Sequence, residues 1–326
     1  MADAVERAVE ANDLDDLVRL VNRLVAAEEW DGVVQLRDRC RAALARGKQL
    51  WPAASWAEYR LALDAPGPWA AAVLVDGTGG FAPGPLPEVA ASTHPWEELA
   101  PHAPGGPVAS MAAHERVVRG EDLTHDSRVD PMALGVPRRL EMWEPRYAVA
   151  TYTDEGGEFP RPPLPAARWV ELPPPGDEVE DTTAVRALTD LASRWVDGSD
   201  GRAHAVAVEG SALEAVAALG PRRVRVGELT GAAVMALMCW AAASGGAHGR
   251  RRGAAFGRSA AWWAVSALAG LHDHAMEPDP VGEAVAELRW WWWDAGEPDT
   301  GWALRLAVED PDHRLAWAVV ATDAAL

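Results

Sequence analysis

The stretch ELRWWWWDAGEPDTGWALRLAVEDPDHRLAWAVVATD, residues 287–323, decides the fold class of this 326-residue chain. It contains three runs rich in Trp, Val and Leu, separated by the short segments GEPDTG and DPDH. Gly, Pro and Asp at such positions favour turns between neighbouring strands. The stretch therefore predicts a three-stranded antiparallel meander.

Strand-like and helical runs alternate in the region before this meander. The strand-like runs are YAVATYT (147–153), RWVEL (168–172), AHAVAVEG (203–210) and RVRVGEL (223–229). Apolar residues recur at helical spacing in residues 182–196, 211–220 and 229–244. The pattern predicts an α/β or α+β domain over residues 141–326 that ends in the meander.

Helical periodicity dominates the first part of the chain. In DLDDLVRLVNRLV, residues 13–25, the apolar positions fall on one helical face, and Asp13 is placed to cap the helix. Further short helical segments follow, separated by Pro and Gly, with no repeat of fixed period. Residues 1–140 are therefore predicted to form an irregular, α-solenoid-like helical region, which makes the whole chain α+β.

The composition excludes several classes of function. A formal net charge of −19 repels phosphate and anionic lipid, so nucleic acid is not an expected partner. No apolar run is long enough for a bilayer, and MADAVERAVEANDLDDL has no signal-peptide core. Cys40 and Cys239 stand alone, as is typical of a reducing compartment. We expect a cytoplasmic protein.

Lys48 is the only lysine of the chain. A P-loop and a Schiff-base enzyme both need a lysine in a defined place, and Lys48 lies at a helix end. The segment GAAFGRS (253–259) resembles a P-loop only faintly, because Arg258 stands at the lysine position and no strand precedes it. A phosphate loop is therefore not predicted.

The stretch SGGAHGRRRGAAFGRSAAWW, residues 244–263, combines a run of arginines with a row of four glycines spaced four residues apart, Gly245, Gly249, Gly253 and Gly257. Glycines four residues apart share one face of a helix, which predicts a helix over residues 245–271 packed closely on the helix before it. An alternative is an anion-binding or nucleotide-binding site on this helix, and a third reading is a docking surface for an acidic partner or a second copy. The candidate anion ligands are Arg250, Arg251, Arg252, Arg258 and His248.

The run WWWW, residues 290–293, is the second unusual feature. In a strand, Trp290 and Trp292 face one side of the sheet and the intervening tryptophans face the other. Together with Trp302 on the next strand they are candidates for an aromatic surface that stacks on a base or a sugar ring. The alternative is burial between layers, since each indole removes a large apolar area from water.

Other polar groups have structural interpretations. Ser211 and Glu214 fit a helix capping box better than a hydrolase nucleophile turn. His272 and His274 fit a polar helix end better than a metal site. The sequence thus predicts no metal and no cofactor, and it favours binding over catalysis.

Four segments are similar to uncharacterised hypothetical proteins of actinobacteria. They are WDGVVQLRDRC (30–40), LALDAPGPWAA (61–71), HERVVRGEDL (114–123) and HGRRRGAAFGRSAAWW (248–263). The resemblance implies a bacterial, intracellular setting and no activity. The function that the sequence favours is protein interaction or scaffolding, including self-association. The alternative is a small-anion or nucleotide-binding protein, or an enzyme, with an arginine-lined site.

Overall fold

A computed structural model of the protein describes residues 2–130, 132–271, 276–298 and 301–324. The chain divides into two compact units. The first consists of residues 1–117, 125–133 and 150–159, and the second of residues 118–124, 134–149 and 160–326. The predicted α+β class is confirmed. The predicted boundary near residue 140 stays a prediction.

Helices form most of the first unit. They are α1 (Ala2–Ala11), α2 (Leu14–Ala26), α3 (Trp30–Leu44), α4 (Trp51–Asp64), α5 (Gly67–Ala71), α6 (Leu86–Thr93), α7 (Trp96–Leu99) and α8 (Gly106–Val118). Asp13 caps α2 as predicted, because its carboxylate accepts from the backbone N–H of Asp16 at 3.0 Å. The run YAVATYT forms a strand only at β1 (Thr151–Thr153), which pairs with β2 (Gly156–Glu158).

A seven-stranded antiparallel sheet forms the centre of the second unit. Its strands are β3 (Arg168–Glu171), β4 (Asp177–Glu178), β5 (Arg202–Glu209), β6 (Arg223–Leu229), β7 (Arg289–Asp294), β8 (Gly301–Asp310) and β9 (Leu315–Ala324). Their order across the sheet is β3-β6-β7-β8-β9-β5-β4. The adjacent strands β7, β8 and β9 confirm the predicted meander. Residues 272–275 and 299–300, which include His272, His274 and part of the GEPDTG turn, lie outside the described residues.

Six helices accompany the sheet in the described part of the second unit. They are α9 (Thr182–Asp190), α10 (Ser193–Asp197), α11 (Ala212–Ala218), α12 (Gly231–Ala243), α13 (Ala254–Leu268) and α14 (Pro278–Glu287). The capping box at the start of α11 is confirmed, since the Glu214 carboxylate accepts from the backbone N–H of Ser211 at 2.6 Å. None of the described helices is both long and apolar enough to cross a lipid bilayer.

The four consecutive tryptophans alternate between two apolar clusters, as the strand pattern predicts. Trp290 and Trp292 pack in the larger cluster, to which α9, α12, α13 and α14 contribute. Trp291 and Trp293 pack in the smaller cluster, which contains residues of α11. The two faces of β7 are therefore covered by different helices, and the tryptophans supply apolar area to both.

The predicted helix over residues 245–271 is wrong in its first third, because α13 begins only at Ala254. Gly246 and Gly253 have φ values of +73° and +99°, a region that glycine adopts without strain and that ends a right-handed helix. Glycine inside a helix also costs about 1 kcal/mol relative to alanine. Residues 244–253 consequently form a turn, and the glycine row is not a helical ridge.

Gly257 alone of that row lies on α13. A Cβ at Gly257 would collide with the carbonyl oxygen of Cys239 on α12. The predicted close packing of the two helices is therefore confirmed at this position, where the missing side chain lets the backbones approach.

Candidate functional site

Arg258 lies in the interior of the second unit, with 1% of its side chain exposed. Its guanidinium donates to both carboxylate oxygens of Glu144, at 2.8 and 2.7 Å. It also donates to the carbonyl oxygens of Pro137 and Arg139, at 2.7 and 2.8 Å. These bonds attach the 137–144 segment to α13 and leave Arg258 without an exposed donor for a ligand.

Glu144 is held in its charged form by the groups around it. Burial favours the neutral carboxyl, but the two bonds and the charge of Arg258 outweigh burial and lower the pKa of Glu144. The indole N–H of Trp262 and the hydroxyl of Tyr147 also donate to it, at 2.9 and 2.7 Å. Arg258 and Glu144 thus form a buried ion pair whose partners are supplied by the protein itself.

The other candidate anion ligands lie in the turn between α12 and α13. His248 and Arg250 are exposed, while Arg251 and Arg252 are half-buried. The guanidinium of Arg252 lies over the ring of Phe256. Burial and then the nearby charge of Arg194 lower the pKa of Arg252 to about 10. Arg252 packs on Phe256 and Arg258 binds Glu144, so these two candidate ligands have different partners.

The three candidate tryptophans differ in exposure. Trp290 is 2% exposed, and its indole N–H donates to the carbonyl oxygen of Val285 at 3.0 Å. It belongs to the core and does not contribute to an aromatic surface. Trp292 and Trp302 are half-buried and line a common cavity. Trp302 stacks on Trp240, with 5.2 Å between the ring centroids.

This cavity has a volume of about 540 Å³ and lies entirely in the second unit. It combines charged and aromatic side chains from strands β6, β7 and β8 and from the segments beside them. Those side chains are Arg161, Arg225, Asp294, Glu297, Arg305, Trp292 and Trp302. Three guanidiniums against two carboxylates give an excess of one positive charge in a chain of net charge −19.

Ion pairs fix the arginines of the cavity. The carboxylate of Asp294, 5% exposed, accepts from the Nε of Arg225 at 3.0 Å and from the Nη1 of Arg305 at 3.2 Å. The Nη2 of Arg305 donates to Glu297 at 2.7 Å. Because both Asp294 oxygens bind guanidiniums, Asp294 orients the arginines in advance of any ligand.

Arg161 reaches the cavity from a loop distant in sequence. Its Nη2 donates to the carbonyl oxygen of Ala303 at 3.0 Å, and its guanidinium lies 4.9 Å from the ring centroid of Trp240. The cation is held by a carbonyl and an aromatic face, an arrangement that fixes its position.

Trp292 and Trp302, which line the cavity, are predicted from the sequence as parts of an aromatic surface, whereas no sequence pattern indicates the charged residues of the cavity. Arg225 meets Asp294 because β6 pairs with β7 in a register that places the two residues opposite each other. Strand alternation places Arg225 and Arg305 on strands, but it does not say which strands are neighbours. In the described part of the chain, no group of three or more His, Cys, Asp or Glu side chains is arranged to hold a metal ion.

A family model described as a family of unknown function, DUF6183, matches residues 15–325 of the chain. No curated protein and no solved structure matches it. The predicted resemblance to uncharacterised proteins is thereby confirmed. The actinobacterial source stays a prediction.

The buried pair predicts a large loss of stability on substitution of Arg258. We expect Arg258→Met to lower the free energy of unfolding by about 3–5 kcal/mol, since it leaves the Glu144 charge buried and unpaired. The double variant Arg258→Met/Glu144→Leu should regain much of this loss, because no charge then remains buried. Urea denaturation followed by far-UV circular dichroism measures both changes.

The matched control is Arg186→Met on α9. Its ion pair with Asp190 has an N–O distance of 3.7 Å between largely exposed side chains. The free energy of unfolding should therefore change by no more than about 0.5 kcal/mol. Equal effects at the two arginines would contradict the structural role of Arg258.

Proposed function

The chain belongs to the DUF6183 family of unknown function, and from the geometry of the cavity we propose that the second unit binds a small anionic compound that carries a sugar ring or a planar ring. One observation carries this proposal, namely that the guanidiniums and the two partly exposed indoles line the same cavity. The ligand class follows from these two kinds of group. The arginines suit a carboxylate or a phosphate, and the indoles suit a sugar or a planar ring.

The electrostatics of the cavity support an anionic ligand. Arg305 is 10% exposed on its side chain, so its charge is only weakly screened by water. Arg225 is 45% exposed and offers its outer edge to solvent. A carboxylate or phosphate that reaches both arginines gains charge-assisted hydrogen bonds that a neutral compound does not make.

The size and rigidity of the cavity support a small ligand. Its volume of about 540 Å³ falls within the range of roughly 300–1,000 Å³ usual for small-molecule sites. The ion pairs of Asp294 and the stacking of Trp302 on Trp240 fix the lining before binding. A lining fixed in this way loses little conformational entropy when a ligand enters.

Binding is favoured over catalysis at this cavity. Both carboxylate oxygens of Asp294 accept hydrogen bonds from arginines, so this carboxylate holds the lining of the cavity in place. The proposed role is therefore that of a ligand-binding protein, which corresponds to the small-anion alternative predicted from sequence, at different arginines.

A second candidate function is self-association through the edge strand β3. Trp169 on this strand is 47% exposed, although Arg223 lies 4.8 Å from its ring centroid. Two copies of β3 paired antiparallel about the centre of the strand would place Arg168 of each opposite Glu171 of the other. This charge complementarity supports a second copy as the partner. Scaffolding of other proteins and a cytoplasmic location stay predictions from sequence.

The cavity predicts binding of ring anions but not of their neutral counterparts. Isothermal titration calorimetry would compare AMP with adenosine, glucuronate with glucose, and indole-3-acetate with indole-3-acetamide. We expect at least one anion to bind. Trp302→Leu should weaken the binding of that anion about tenfold or more, because an aromatic platform contributes about 1–3 kcal/mol to the binding free energy.

Two variants control this experiment. Trp263→Leu removes an exposed indole that lies on α13, outside the cavity, and should leave binding unchanged. Arg225→Lys keeps the positive charge but loses the planar guanidinium with its paired donors, and should weaken binding of the anion. Binding that survives both Trp302→Leu and Arg225→Lys, or no binding of any of the three anions, would refute the proposal.

The β3 edge predicts a charge-dependent dimer. In sedimentation experiments at low salt we expect a monomer–dimer equilibrium that Arg168→Glu weakens, because it places like charges opposite each other. The reversed pair Arg168→Glu/Glu171→Arg should restore it. A chain that stays monomeric at all concentrations, or a dimer indifferent to both variants, would eliminate this candidate.

A further inference from the structure

A smaller cavity of the second unit lies between the start of α11 and the strands of the sheet, with a volume of about 280 Å³. Its apolar lining residues are Val170, Ala212, Leu213, Val226 and Trp291. Its polar lining residues are Arg168, Ser211, Glu228 and Glu309. None of these residues lines the cavity of Trp292 and Trp302, so the two cavities have separate walls.

Strand register brings three of these side chains to one face of the sheet. Arg168 on β3 lies opposite Val226 on β6, and Glu228 follows two residues further along β6. Glu228 in turn lies opposite Trp291 on β7. Residues opposite each other, and residues two apart on one strand, point to the same side of a sheet. The adjacent strands β3, β6 and β7 therefore present Arg168, Glu228 and Trp291 side by side to one cavity.

The charged groups of this smaller cavity differ in whether the protein compensates them. The carboxylate of Glu309 accepts from the backbone N–H of Ala212 at 3.0 Å, and its Oε1 lies 3.6 Å from the Nη1 of Arg289. Within the part of the chain that the structure describes, neither Arg168 nor Glu228 forms an ion pair, and both are exposed. The cavity therefore presents one uncompensated cation and one uncompensated anion beside an apolar lining.

We infer that this smaller cavity binds a free α-amino acid with an apolar side chain, such as leucine, through Arg168, Glu228 and Trp291. An α-amino acid carries a carboxylate and an ammonium group on one carbon atom, and Arg168 and Glu228 match these two charges. The indole of Trp291 and the apolar lining remove the side chain of the ligand from water. A compound with only one of the two charges leaves Arg168 or Glu228 unmatched.

Spacing and size support a ligand of this kind. Diagonal neighbours on adjacent antiparallel strands are roughly 7–8 Å apart, and Arg168 and Glu228 stand in this relation. The two charged ends can therefore reach one small molecule from different strands. The volume of about 280 Å³ lies just below the range of roughly 300–1,000 Å³ that is usual for small-molecule sites, which suits a ligand as small as a single amino acid.

Isothermal titration calorimetry of the full chain with L-leucine tests the inference. Two analogues each lack one charge, since 4-methylpentanoate has no ammonium group and L-leucinamide has a neutral amide in place of the carboxylate. Glycine has both charges but lacks the apolar side chain. We expect each of the three compounds to bind about tenfold or more weakly than L-leucine, because each loses a charge-assisted hydrogen bond or the burial of the side chain.

Two variants assign the charged contacts. Glu228→Gln should weaken L-leucine binding about tenfold and leave 4-methylpentanoate binding unchanged, because this analogue has no ammonium group for Glu228 to bind. Arg168→Met should reduce the affinity for L-leucine to that for L-leucinamide. The control Glu283→Gln changes an exposed carboxylate of α14 that does not line the cavity, and should leave L-leucine binding unchanged.

The outcomes separate this inference from the two functions proposed above. Glu228 lies on β6 and not on the edge strand, so an effect of Glu228→Gln on L-leucine binding is distinct from self-association through β3. Loss of L-leucine binding in Trp302→Leu would place the amino acid in the other cavity and would overturn the inference. So would a wild type that does not bind L-leucine, that binds both analogues equally well, or whose L-leucine affinity is unchanged by Glu228→Gln and Arg168→Met.

Discussion

The buried ion pair of Arg258 and Glu144 is the constraint on which the second unit depends. A guanidinium with 1% exposure is tolerated only if its charge and its donors are matched, and Glu144 with two backbone carbonyls matches them. The partners come from residues 137–144, so the charge can be buried only when this segment lies on α13. The pair therefore specifies one position for a proline-punctuated segment that has little regular structure of its own.

The other arginines of this acidic chain differ from Arg258 in how far neighbouring carboxylates compensate their charge. Arg258 meets a dedicated carboxylate in the core and is part of the fold. Arg225 and Arg305 share the carboxylate of Asp294 at the edge of a cavity, which orients them and leaves an excess of positive charge with Arg161. Arg252 is half-buried and lies over the ring of Phe256. We expect an anion to bind at the cavity arginines and not at Arg258, because the fold itself matches the charge of Arg258.

Features set by near neighbours in sequence could be predicted. The meander, the alternation of Trp290 to Trp293 and the caps at Asp13 and Ser211 depend on side chains a few positions apart. The glycine row shows the limit of such patterns, since a spacing of four fits a helix but also fits a turn. The positive φ values of Gly246 and Gly253 decide for the turn.

Features set by distant residues could not be predicted. The aromatic part of the cavity was found in part, because Trp292 and Trp302 lie on adjacent strands of a recognisable meander. Its charged part depends on the pairing of β6 with β7, which no local pattern encodes. The burial of Arg258 depends on Glu144, which is 114 positions away. The arginine-rich segment of the sequence therefore does not show which guanidiniums are paired inside the protein and which can bind a ligand.

The proposed ligand binding uses the cavity arginines and not Arg258. Its most direct test is a titration by ¹⁵N NMR of the indole and arginine Nε–H resonances with whichever ring anion binds in calorimetry. We expect shifts for the resonances of Trp292, Trp302, Arg225 and Arg305, with those of Arg258 and Trp262 unmoved. Shifts at Arg258 and Trp262 with an unaffected cavity would rule out binding at the cavity.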